Sequence, residues 1–293
     1  MTPPARPDTE HPGKQPGNSQ PADTQPVGLY ADAMIYDILH TPGTASELDA
    51  LERIAARSVR TSPAQSKSDQ QSWLEPACGS GRCVRLAASR GTPCVGFDLD
   101  EGMIAYANDR LARTDAEVDA SAVVADMRTC VDDGAIPEAT FDFAFNTINS
   151  FRHLMSDRDA IAHLEQIARA LRPGGVYAVG LSTTAFGLEF PSEDVWHAAR
   201  GSVSITQTVQ YIPPTGKTGG ARAERVLSHL MIERPSGIEH RDSTYALRAY
   251  SLDQWLALIA ESPLGLIEVT DDAGHPCDPG ESGYRIYILG ARG

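Results

Sequence analysis

Apolar and polar positions change their rhythm along this chain. Residues 1–27 hold almost no large apolar side chains and are rich in Pro, Gln, Thr and Asp. Such a segment cannot bury enough surface to offset chain entropy, which predicts a disordered tail. "LYADAMIYDILH" then sets Leu29, Ala33, Tyr36 and Leu39 at helical spacing. "TASELDALERIAAR" puts Leu48, Leu51 and Ile54 on one helix face, with Ser46 as the expected cap. After the polar loop "TSPAQSKSDQQS", short apolar runs alternate with helical patterns. Strands are predicted at 73–77, 93–98, 121–125, 141–148 and 176–181, and helices at about 82–90, 101–113 and 157–171. The last helix carries Ile161, Leu164, Ile167, Ala168 and Leu171 on one stripe and is stopped by "RPGG". Strand–helix alternation needs βαβ crossovers, so it predicts a parallel sheet covered on both faces. Ligands bind such sheets at the carboxyl ends of the strands, here the loops after residues 77, 98, 125 and 146.

Beyond residue 182 the period falls to two. "SVSITQTVQYI", "RVLSHLMIE" and "STYALRAY" predict an antiparallel insertion of about three strands, with turns such as "PPTGKTGG". "SLDQWLALIAES" predicts a helix capped by Ser251. The expected divisions are 1–27 tail, 28–72 N-terminal helices, 73–182 ligand-binding core, 183–250 insertion, and 251–293 final helix and strands.

Composition narrows the function. The chain has 293 residues, 41% apolar, and a formal charge of −14. That charge disfavours a large nucleic acid as partner, because phosphate binding needs a basic face. No apolar run approaches a membrane span, and the N-terminus lacks an apolar signal core. Five cysteines without a CxxC pair argue against a disulfide framework and a zinc site. The expectation is a cytoplasmic protein with no metal.

The chemistry concentrates in "WLEPACGSGRCVRLAASRG". Gly79 and Gly81 sit between a predicted strand and a predicted helix, where backbone N–H groups can meet a ligand. Asp98 ends the second strand, 17 residues after Gly81, where a carboxylate accepts ribose hydroxyls or caps the next helix. Asp126 ends the third strand and suits an adenine amino group, with Met103 and Met127 against the ring, or is an ordinary loop Asp. The dinucleotide fingerprint needs a third glycine where Val84 stands, and Glu75 disfavours a pyrophosphate while suiting an ammonium group. A nicotinamide-dependent oxidoreductase is therefore disfavoured.

"EPACGSGR", "VGFDLDEGMIAYA", "VVADMR", "FDFAFNTINSFRHL" and "LEQIARALRPGGVYAVGL" together resemble the successive motifs of class I S-adenosylmethionine-dependent methyltransferases. The resemblance covers residues 29–182, and "YRIYILGAR" resembles the last strand. It implies an α/β, doubly wound, Rossmann-like fold with a mainly parallel seven-stranded sheet, and S-adenosyl-L-methionine as cofactor. It implies that Glu75, Ala77, Gly79 and Gly81 border the methionine end, Asp98 and Leu99 the ribose, and Asp126, Met127 and Met103 the adenine. Asn146 and Thr147 would face the sulfonium and the acceptor, and Tyr36 would close over the cofactor. His153 is either a proton acceptor or a structural histidine. Trp196, Tyr245 and Arg248 are candidate substrate contacts, and the insertion is either an acceptor lid or a homodimer surface. The function expected is methyl transfer to an N or O atom of a small molecule. The alternative from another class is a regulatory module that binds the cofactor without turnover.

Overall fold

The computed structural model describes residues 28–60, 70–215, 222–280 and 282–292. The expected tail at 1–27, most of the polar loop and most of the turn at 213–220 lie outside the described residues. The segment expected as one helix from Leu29 is broken at Asp32. A 3-10 turn, Gly28–Ala31, precedes it, and the Asp32 carboxylate then caps α1 (Ala33–His40) by accepting from Ile35 N. In α2 (Thr44–Ser58) the cap is Gly43, at φ 84°, rather than the expected Ser46, which lies inside the first turn. The helix starts early because Thr44 Oγ1 returns a hydrogen bond to the Thr41 carbonyl at 2.8 Å and tightens the corner.

The alternating region follows as β1 (Trp73–Pro76), α3 (Arg82–Ser89), β2 (Cys94–Asp98), α4 (Glu101–Leu111), β3 (Ala120–Val124), β4 (Phe141–Asn146), α5 (Asp157–Ala170) and β5 (Leu171–Thr183). After the insertion come α6 (Leu252–Glu261), capped by Ser251 as expected, then β10 (Leu264–Thr270) and β11 (Gly283–Ala291). The strands form one seven-stranded sheet in the order β10-β11-β5-β4-β1-β2-β3, parallel except around β11. Both faces are covered. Trp73, Phe143 and Phe145 pack under α2, α3 and α4, while Leu74, Phe141 and Ala144 pack under α5 and α6. Side chains alternate between faces along a strand, so a sheet buried on both sides reads as an unbroken apolar run.

The insertion holds four strands among the described residues, where about three were expected: β6 (Ser192–Arg200), β7 (Val203–Ile212), β8 (Ala223–Arg234) and β9 (Gly237–Arg248), paired antiparallel in that order. The unexpected one, "SEDVWHAAR", is polar and mostly exposed and exists because β7 pairs its whole length. The sheet buries one face. Ala198, Ile205, Leu230 and Ile232 close over Leu29, Ile35, Ile38 and Leu39, so α1 is held beneath the insertion.

Candidate functional site

The loop after β1 is shaped by backbone that reverses sharply. Gly79 and Gly81 adopt φ of 52° and 68°, a region open to glycine at little cost. Ala77 shares that region at φ 52°, as do Ile148 and Asn149, at 50° and 66°, in the loop after β4. Non-glycine residues rarely adopt this conformation, least of all β-branched ones, and such strain gathers at functional sites. The two strained loops face each other across one pocket, lined by Glu75, Ala77, Cys78, Asn146, Thr147 and Ile148 among others. Tyr36 and Arg82 complete its wall.

Two buried oxygens in this pocket have no hydrogen-bond partner: Glu75 Oε2 and Asn146 Oδ1. Asn146 is oriented by its amide, which donates to the Pro76 carbonyl at 2.9 Å. Burial pushes the Glu75 carboxyl up to about 8, against the pull of the Arg82 charge. Arg82 is itself held by Thr44 Oγ1 at 3.0 Å and by Glu47, and Glu47 also accepts from Thr147 Oγ1. Next along the strand ends, Asp98 accepts from Gly79 N at 2.9 Å and from Asp100 N at 3.0 Å. Burial raises its carboxyl above the usual value despite those bonds. Asp100, not Asp98, caps α4, accepting from Met103 N. Beyond it, Leu99 is exposed and Met103 is buried. Asp126 is bound by the Arg128 backbone and guanidinium, and the Met127 carbonyl lies 3.0 Å from His163 Nδ1.

A row of rings leads from the pocket to the insertion. Tyr36 approaches the position of a Cβ on Gly79 to 3.0 Å, and its ring centroid lies 5.9 Å from Tyr30. Tyr30 meets Tyr245 of β9 at 5.7 Å, and its hydroxyl lies 3.4 Å from His153 Nε2. His153 stacks on Tyr245 at 5.8 Å. On the other side Tyr36 lies 4.3 Å from His40, which meets Trp196 of β6 at 5.4 Å. Burial, then the Arg152 charge, lower the His153 pKa below the usual imidazole value. The structure thus brings Tyr36, His153, Trp196 and Tyr245 into one seam. Arg248 is not brought there: its guanidinium is engaged by Asp157 at 2.9 Å and by the Met155 carbonyl at 2.6 Å.

Residues 74–175 match the family model described as a methyltransferase domain. The curated 27-O-demethylrifamycin SV methyltransferase of Amycolatopsis mediterranei (strain S699) is 28% identical over 196 residues, covering 66% of this chain and 69% of that one. Two solved structures share the fold. The sugar N-methyltransferase KedS8 from Streptoalloteichus sp ATCC 53650 superposes with a TM-score of 0.66 at 17% identity, over 96% of this chain and 100% of that one. An S-adenosylmethionine-dependent methyltransferase from Clostridium acetobutylicum ATCC 824 gives a TM-score of 0.65 at 12% identity, over 89% and 98%. The chain is a class I S-adenosylmethionine-dependent methyltransferase. Its pocket fits that cofactor on chemical grounds: an orphaned carboxylate oxygen suits an ammonium, and glycine at 79 leaves open a space against Tyr36 that a Cβ would fill. Sequence reasoning about this methyltransferase missed Tyr30, His40 and Arg82. The aromatic residues beside Tyr36 were visible in "LYADAMIYDILH", but no local signal ties Tyr30 to a ring more than 200 positions away.

Proposed function

We propose that this methyltransferase acts on an N or O atom of a small molecule that enters between the insertion and the main sheet. One observation carries the reading: the ring-lined seam in which Tyr30, His153 and Tyr245, from three separate elements, continue the wall begun by Tyr36 at the pocket. The relative named for 27-O-demethylrifamycin SV and the structure named for a sugar nitrogen support acceptors of that kind. S-adenosylmethionine, when bound, would supply an activated methyl carbon, which the acceptor atom would attack in line as the carbon–sulfur bond breaks and S-adenosylhomocysteine leaves.

The chain's own residues bind, align and keep water out. Glu75 receives the ammonium, the backbone around Ala77, Gly79 and Gly81 cradles the methionine end, and Asp98, with Leu99 beside it, receives the ribose. Asp126, Met127 and Met103 hold the adenine, and Asn146 and Thr147 border the reacting end. Trp196 and Tyr245 wall the acceptor side. His153, neutral at pH 7 because its pKa is depressed, takes the acceptor proton through Nε2. Holding reactants in near-attack geometry supplies most of the barrier reduction such a reaction needs. All five cysteines are free, which supports residence in a reducing cytoplasm. No helix among the described residues is long and apolar enough to cross a membrane.

The test is formation of S-adenosylhomocysteine from S-adenosylmethionine with a panel of amino sugars and hydroxylated macrocycles, 27-O-demethylrifamycin SV included. Turnover with at least one member is expected. A panel that yields none, while S-adenosylhomocysteine still binds, would favour the regulatory module instead. In an active pair, His153→Asn separates the contributions. General-base work loses about 10²–10⁴ in turnover and flattens the pH dependence, whereas alignment alone leaves both unchanged.

A further inference from the structure

Asp37 lies in α1 with no exposed surface, and four other elements reach its carboxylate. Ser80 Oγ of the glycine loop donates to Oδ1 at 2.8 Å, and Arg85 Nη2 of α3 at 2.6 Å. The Tyr106 hydroxyl of α4 donates to Oδ2 at 3.1 Å, and Arg200 Nη1 of β6 lies 2.8 Å from the same oxygen. Arg200 also donates to the Tyr106 hydroxyl at 3.2 Å and to Thr41 Oγ1 at 3.1 Å. Arg85 completes the ring by donating to the Ser80 carbonyl at 2.5 Å. Burial alone would raise the Asp37 carboxyl, but the bonds from Arg85, Ser80 and Arg200 outweigh it and hold the group below the usual range.

One cation balances one buried carboxylate, and Arg85 already provides it from the core. The second, Arg200, comes from the edge strand of the insertion, and its side chain is 35% exposed. A charge placed there adds little to core stability that Arg85 has not secured; what it adds is a tie. The neighbouring residue extends the tie to the pocket, since Tyr36 covers Gly79 while Asp37 grips Ser80 one position along the same loop. We propose that Asp37 is a positioning residue, which through Arg200 couples the seating of the insertion to the conformation of the glycine loop. The inference rests on the insertion being the acceptor wall. Coupling between sites is reciprocal, so a ligand that fixes the loop steadies β6, and whatever steadies β6 tightens the loop's ligand.

Hydrogen exchange on the full chain tests this, with S-adenosylhomocysteine as probe. In the wild type the probe is expected to slow exchange at residues 76–82 and, at least about fivefold, at 194–200, the lower end of usual site-to-site coupling. Arg200→Gln should keep the first slowing and lose the second. Arg200→Lys should recover part of it, because an ammonium still reaches Oδ2 but not Thr41 as well. Asp37→Asn should behave as Arg200→Gln; should it fail to fold, the two Arg200 variants decide alone. Slowing at 194–200 that survives Arg200→Gln, or that is absent from the wild type although the probe binds, would overturn the coupling and leave the methyltransferase reading standing. Failure of the probe to bind the wild type would overturn both.

Discussion

The main sheet and the insertion sheet solve burial in different ways. In the main sheet Trp73 and Leu74, adjacent in sequence, are both buried, because helices cover both faces. In the insertion, Ile205, Gln207 and Val209 are buried while Ser204, Thr206 and Thr208 between them are half-exposed. The first arrangement holds strand ends rigidly, and Glu75, Asp98 and Asn146 all sit at such ends. The second leaves a one-sided sheet whose inner face meets α1 and Tyr30 and whose outer face is free to vary without touching the core. On the function proposed above, a fixed cofactor pocket beside a changeable acceptor wall would let one fold serve many acceptors.

The contrast is open to direct attack. Phe143→Ala should destabilise the protein by about 3–5 kcal/mol, as large aromatic truncations in well-packed cores do. Phe143 is fully buried between Trp73 and Phe145, with ring centroids 4.8 and 6.0 Å away. A denaturation midpoint within error of wild type would show that the main sheet is not the rigid member of the pair.

A smaller effect comes from Glu75. Its folded carboxyl titrates at about 8 against an ordinary value of 4.5. Between those values the folded chain keeps a proton that the unfolded chain has released, so stability falls as pH rises through that window and levels above it. Glu75→Gln should abolish that slope. Saturating S-adenosylhomocysteine should reduce it in the wild type, because an ammonium beside the carboxylate favours the charged form. Chemical denaturation at pH 5 and pH 8 reads both effects, and equal slopes in wild type and variant would remove Glu75 as the source.

The smallest effect tests the other half of the comparison. Thr208→Ala, on the outer face of β7, should shift stability by no more than about 0.5 kcal/mol and leave cofactor affinity unchanged. A larger loss would mean that the outer face is covered by something. Excising residues 202–249 is a poorer test than point changes, since it would strip the cover from Ile35, Ile38 and Leu39.

What could be read from the chain follows the same division. Strands buried on two faces give unbroken apolar runs, so "FDFAFN" and "VYAVGL" were legible, and the loops at their ends could be placed. The edge strand β6 was not: with Ser192, Glu193, Asp194 and His197 exposed, it is specified by its partner β7 rather than by its own pattern. The break at Asp32 was hidden because a capping carboxylate sat inside a continuous helical period. In the site, Glu75 stood out by its place in the strand that feeds the glycine loop, and Asn146 only through the resemblance to the methyltransferase motifs. Tyr30, Arg82 and Arg200 were not, because each acquires its meaning from partners far along the chain.

The position of α1 under the insertion has a consequence for synthesis. Ile35, Ile38 and Leu39 leave the ribosome early, while Leu230 and Ile232, which cover them, follow almost 200 residues later. At translation rates of about 5–20 residues per second that interval is roughly 10–40 s, during which three adjacent apolar side chains have no cover of their own. The nascent chain is most prone to non-native association in that interval. Burial of α1 can be complete only once β7 and β8 have been made.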